Sequence, residues 1–146
     1  MKKIIAVLMC LLFLTALFSC QSNYQKKYEN FFSSEDSAAE TEVKNLIFKM
    51  NEAFNRGDYK TSVCAYGYSK KELNDYVDIQ KEIAKTLSVK KEIVEIELSK
   101  WSDTYIEAYI VTDITMTNKK DKNDMTVDSS SETLTFKYED GEWMIG

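Results

Sequence analysis

Histidine is absent from the 146 residues. That removes Ser-His and Cys-His catalysis and every histidine-ligated metal site. The acid–base groups left are carboxylates, lysines and tyrosines. Cysteine is scarce, at three residues: Cys10, Cys20 and Cys64. Cys10 lies inside an apolar run and Cys20 at its end, so Cys64 is the one thiol in the body of the chain. Without a histidine to act as its base, Cys64 reads as a small buried apolar group. A long basic run is also missing, and 24 acidic residues outnumber 19 basic ones. An acidic chain of this kind is a poor match for nucleic acid.

What is present begins at the N-terminus. Lys2 and Lys3 precede an apolar stretch from Ile4 to Leu14 that continues through Thr15 to Phe18. This is the basic and apolar pattern of a secretory signal. A membrane-spanning helix needs about 20 apolar residues, and the run is shorter. The junction Leu17-Phe18-Ser19-Cys20 resembles the lipobox of bacterial lipoproteins, departing from it at Phe18. The resemblance implies that the Cys20 thiol carries a diacylglyceryl group and that cleavage makes Cys20 the mature N-terminus. Two acyl chains anchor stably where a single chain binds only marginally. The alternative is an ordinary secreted protein. With Lys2 and Lys3 gone, 17 basic residues face 24 acidic ones, a balance of −7. Electrostatic attraction to anionic lipid is then lacking, and membrane attachment rests on Cys20. With Cys10 removed and Cys20 acylated, no disulfide can form within the mature chain.

The expected organisation is a signal peptide over 1–19, a lipid-anchored tether over 20–37 and one domain over 38–146. Within the tether, Tyr24, Tyr28, Phe31 and Phe32 share one face at helical spacing, which allows a short docking helix. Ser37 and Glu40 form a capping-box pattern. Val43, Ile47, Met50 and Phe54 then make an apolar stripe, widened by Leu46 and Ala53, on a helix from about Ala38 to Arg56. Gly57 ends it, and Asp58 caps a shorter helix through Val63, Cys64 and Tyr66 that Gly67 stops.

Ser69 and Glu72 repeat the capping box. Leu73, Tyr76, Val77, Ile83, Ala84 and Leu87 share a face on a helix from about Lys70 to Leu87. From Val89 the period becomes two. Val94, Ile96 and Leu98 mark one strand, and Ile106, Ala108, Ile110, Ile114 and Met116 a second beyond the Ser102-Asp103 turn. Asn118 to Ser131 reads as an exposed loop whose run KKDKND is mobile and lacks calcium-loop spacing. Leu134, Phe136 and Tyr138 form a third strand, and Trp143 to Ile145 a fourth after the Asp140-Gly141 turn. Trp143 is expected in the core against the first long helix, near Phe54.

Helices followed by an antiparallel meander give an α+β domain: N-terminal helices packed on a curved four-stranded antiparallel sheet. The segment AFNRGDY (Ala53 to Tyr59) closing the first long helix resembles the nuclear transport factor two-like superfamily, and so does the terminal YEDGEWMI (Tyr138 to Ile145). The resemblance covers about Ala38 to Gly146. It implies a cone: a sheet curved around a long helix, often with a pocket between them. Family members include dehydratases, isomerases and transport factors, so the fold does not name a function.

Parity places Ile106, Ala108 and Ile110 against the helices and Tyr105, Tyr109 and Val111 on the outer face. Those three form the candidate interaction surface, for a partner or for the homodimer that the family often builds there. Tyr66 and Tyr76 are candidate pocket-wall residues. Asp113 shares the outer face and is not expected to catalyse. Glu95 and Glu97 read as solvated. No catalytic residue, metal or cofactor is expected. The first expectation for function is a non-enzymatic binding domain, lipid-anchored on the extracytoplasmic face of the cell membrane, for a protein, peptide or small ligand. The alternatives are a small dehydratase- or isomerase-like enzyme using a carboxylate and Tyr in the cone, and an immunity-type lipoprotein that intercepts a membrane-active peptide. A buried, unpaired carboxylate facing the cavity would favour the enzyme.

Overall fold

The computed structural model describes residues 23–63 and 69–146. In chain order these form α1 (Asn23–Lys27), a 3-10 turn (Glu29–Phe31), α2 (Ala38–Asn55) and α3 (Lys70–Thr86). The strands β1 (Leu87–Ser102), β2 (Tyr105–Asn118), β3 (Met125–Glu139) and β4 (Glu142–Ile145) follow. They make one antiparallel sheet in the order β1-β2-β3-β4, a meander with the helices on one side. This is the α+β architecture that the order of periodicities predicts. The segment 1–19 expected to be a signal, Cys20, Cys64 and Tyr66 lie outside the described residues. No helix among the described residues is long and apolar enough to cross a membrane.

Both long helices start as their sequences dictate. The Ser37 hydroxyl accepts from the Glu40 N–H at 3.3 Å, and the Glu40 carboxylate accepts from the Ser37 N–H at 2.8 Å. Ser69 and Glu72 do the same for α3, at 3.2 and 2.8 Å. Two N–H groups that no helical carbonyl can reach are satisfied at each end. α2 closes with Gly57 at φ 79. The Asp58 N–H returns to the Ala53 carbonyl and the Gly57 N–H to that of Phe54, both at 2.9 Å. This pair of bonds is the Schellman stop, and it needs the left-handed residue that glycine supplies.

The core lies where α2 crosses the sheet. Val43 and Ile47 meet Ile93, Ile106, Ala108, Ile110 and Phe136 in one buried cluster. The same cluster extends to Phe48 on the neighbouring flank of α2. Phe48 is fully buried beneath the chain leading into the helix. Tyr28 stacks on it at 4.0 Å and 7°, Phe31 meets it edge-on at 5.2 Å, and Phe32 lies tilted at 6.0 Å. The segment that the aromatic spacing marks therefore docks on α2, as a short helix and a 3-10 turn rather than as one helix through Phe32. Asp36 and Lys44 close the same layer as a nearly buried ion pair at 2.7 Å.

Four expectations are corrected. Asp58 caps a turn, accepting from the Thr61 N–H at 3.2 Å; no helix forms over 58–63. Val94 is 46% exposed, because a bulge between Ile93 and Glu95 gives its inward place to Ile93. The loop expected over 118–131 shrinks to six residues, since 125–131 pair with β2 from Thr117↔Met125 to Val111↔Ser131. That stretch shows no apolar alternation because neither of its faces is buried. Trp143 is half-buried against α2, but its indole N–H donates to Glu42 at 2.9 Å, at the opposite end of the helix from Phe54. Phe54 packs on Tyr59 at 5.4 Å instead. The Asp140-Gly141 turn forms as expected, with positive φ at both residues (52 and 91).

Candidate binding cavity

Between the C-terminal half of α2, the start of α3 and the inner sheet face lies a cavity of about 260 Å³. Met50, Leu73, Leu134 and Ile145 give it apolar walls, and Tyr76, Ser62, Glu132 and Lys91 supply polar atoms. A smaller recess of about 80 Å³ runs from it toward Ile47, Phe54 and Thr112. A wider groove of about 500 Å³, bordered by Lys27, Arg56, Lys90 and Glu92, opens beside β1. Lys91 lines all three.

Lys91 is held by the backbone on which it sits. β1 is an edge strand, so on its free side the peptide groups have no strand to pair with. Asn55, the last residue of α2, replaces that strand at Lys91. Its amide donates to the Lys91 carbonyl at 2.7 Å and accepts from the Lys91 N–H at 2.8 Å. Asn51, one turn earlier, donates to the same carbonyl at 3.3 Å. The asparagine of AFNRGDY thus clips the edge of the sheet to the end of the helix. The Lys91 ammonium lies 4.2 Å from the centroid of the Phe54 ring, an attraction that strengthens as water is excluded. Burial pushes this group below the usual lysine range, and the negative charge of Glu132 opposes the shift. Among the described residues Lys91 enters no ion pair.

Tyr76 lines the cavity. Its proposed companion Tyr66 falls outside the described residues. Tyr105, Tyr109 and Val111 occupy the outer sheet face, opposite Lys137, Thr133 and Ser131. Tyr109 is 41% exposed there, and the docked segment 23–37 packs on α2, on the other side. Asp113 is on the outer face as well, accepting from the Ser129 hydroxyl at 2.7 Å. Glu95 and Glu97 are exposed. The KKDKND turn is bonded to α3: the Lys119 N–H and ammonium donate to the Thr86 and Ala84 carbonyls. No cluster of metal-ligating side chains occurs among the described residues.

Sequence reasoning missed Lys91, Asn51, Asn55 and Glu132. Lys91 has the parity of Ile93 and so faces inward, but that parity is hidden unless the bulge at Val94 is known. The asparagines gave no signal, because their partner is a backbone 40 residues from Asn51 and 36 from Asn55.

No family model matches the chain, and no curated protein matches it. Solved structures do. A ketosteroid isomerase-like protein from Erwinia carotovora atroseptica aligns at 19% identity and TM-score 0.55, over 75% of this chain and 92% of its own. A protein from Novosphingobium aromaticivorans, provisionally named a scytalone dehydratase, aligns at 11% and 0.56, over 71% and 76%. A cystatin-like protein of uncharacterised function from Caulobacter vibrioides aligns at 15% and 0.53, over 75% and 85%. With these likenesses the chain has the nuclear transport factor two-like, or cystatin-like, α+β fold.

Proposed function

We propose that the chain is a non-enzymatic binding domain, held outside the cytoplasmic membrane by a lipid on Cys20, whose ligand occupies the cavity between α2, α3 and the sheet. One observation carries this reading. The cavity walls combine Met50, Leu73, Leu134 and Ile145 with a few polar groups, and the charged group drawn out of water at their edge is a lysine. A dehydratase or isomerase of the kind suggested by the neighbours' names would need a carboxylate desolvated inside the cavity as its base. Among the described residues, the carboxylate that lines it is Glu132, which is exposed.

Native mass spectrometry of the chain extracted from membranes tests both halves of the reading. The expected spectrum starts at Cys20 with acyl mass and carries a non-covalent small molecule. That molecule is lost in Leu134→Trp, which fills the cavity. Cleavage elsewhere with no acyl mass would refute the anchor. A folded wild type that takes up no small molecule from a membrane extract would refute the cavity. Tyr105, Tyr109 and Val111 supply the partner surface in this proposal, since tyrosine joins apolar area to a polar handle. Concentration-dependent sedimentation abolished by Tyr105→Glu with Tyr109→Glu would support a homodimer; a strictly monomeric wild type excludes it.

A further inference from the structure

We infer that the cavity selects a single-chain amphiphile with an anionic head, a carboxylate for example, the head pairing with Lys91 and the apolar tail filling the space between α2 and α3. This rests on the cavity being the ligand site and adds the class of ligand. The geometry separates the two parts of such a molecule. Met50, Leu73, Leu134 and Ile145 offer a tail apolar contact within the cavity, beside the polar atoms of Ser62 and Tyr76. Lys91 stands where the cavity, its recess and the outer groove meet, so a head at the boundary between tail space and water reaches its ammonium.

Three features make Lys91 an anion partner rather than a strut. Its backbone is fixed on both sides by Asn55, so the side chain starts from a set position. Its ammonium rests on the face of Phe54, which holds the charge without consuming its donors in an ion pair. And the neighbouring groove beside β1 carries Lys27, Arg56 and Lys90, a local excess of positive charge on an acidic chain. Two groove carboxylates temper that excess: Glu52 is engaged by Lys27 and Arg56, and Glu92 is exposed. Glu132, on the cavity side, faces the same head and weakens its binding.

The test uses the full chain in nanodiscs of zwitterionic lipid, titrated by calorimetry with octanoate, octan-1-ol and octylammonium against empty nanodiscs. Octanoate should bind at least about tenfold more tightly than octanol, the ratio that a charge-assisted hydrogen bond supplies. Octylammonium should bind least. Lys91→Met should erase the preference for octanoate over octanol, and Lys91→Arg should keep it. Equal binding of octanoate and octanol by wild type overturns the inference and leaves the cavity reading standing. Binding of none of the three overturns both. Should Lys91→Met fail to fold, Glu132→Gln decides: it should raise the preference for octanoate over octanol severalfold, and no change in that preference overturns the role of charge at this edge.

Discussion

α2 and α3 begin with the same local device, a Ser-x-x-Glu capping box with both hydrogen bonds formed, and they differ by one residue in length. Their fates in the fold are unlike. α2 lies between the sheet and the docked segment 23–37, and Val43, Ile47, Phe48, Ala53 and Phe54 are buried on it. α3 buries no residue; Ile79 is 59% exposed, and Ile83, which the sequence places on the apolar face, is exposed as well. Capping fixes where a helix starts. The amount of surface it removes from water depends on what covers it, and that burial stabilises a helix more than its cap does. The cavity lies along the seam between the well-covered helix and the thinly covered one.

The largest effect that would break this comparison is at Phe48. Truncating a buried phenylalanine costs about 3–5 kcal/mol, so Phe48→Ala should lower the denaturation midpoint sharply, whereas Ile79→Ala on α3 should stay within about 0.5 kcal/mol. Similar losses at the two sites, measured by chemical denaturation, would mean that the two helices are equally covered. Next comes the Asp36–Lys44 pair. Asp36→Asn leaves the Lys44 charge without its partner in a nearly buried place, and about 1–3 kcal/mol should go with it. Equal stability of the variant would show that water reaches this layer.

The caps sharpen the comparison further. Ser37→Ala and Ser69→Ala should each cost about 1 kcal/mol, but in different ways. Loss of the α2 cap should lower global stability. Loss of the α3 cap should speed amide exchange in the first turn of that helix, because local opening there exposes little that was buried. The smallest effect is that of acid. Hydrogen bonds from Ser37 hold the Glu40 carboxyl below its usual range, and bonds from Ser69 do so for Glu72. A folded-state value below the unfolded one stabilises above the unfolded pKa, and the contribution fades as pH falls through the folded value. Helical circular dichroism should therefore hold down to about pH 4 and decline below it, and in Glu40→Gln with Glu72→Gln that decline should shrink.

Local rules made most of the fold legible. The capping boxes, the Gly57 stop, the Asp140-Gly141 turn and the alternation from Ile106 to Ile110 each depend on residues close in sequence, and each appears where those residues place it. What escaped depends on residues far apart. Phe48 lies off the stripe of Val43, Ile47 and Met50, yet joins the same core, its ring covered by Tyr28 and Phe31 from outside the helix. Residues 125–131 became a strand because β2 was there to pair with. At the cavity, Lys91 was not legible, since one inserted residue at Val94 reverses the parity on which the reading depended.

The docked segment also has a mechanical meaning. Along it, Lys27 meets Glu52, Tyr28 meets Phe48 and Asp36 meets Lys44, so it runs antiparallel to α2. Any load applied to the chain ahead of Asn23 reaches these contacts before it reaches the sheet. Tension along the segment shears the whole set together, and the bonds resist in parallel. Tension perpendicular to α2 peels them one at a time, beginning with Lys27–Glu52, and each yields at a small force. This end of the domain grips in one direction and releases in another.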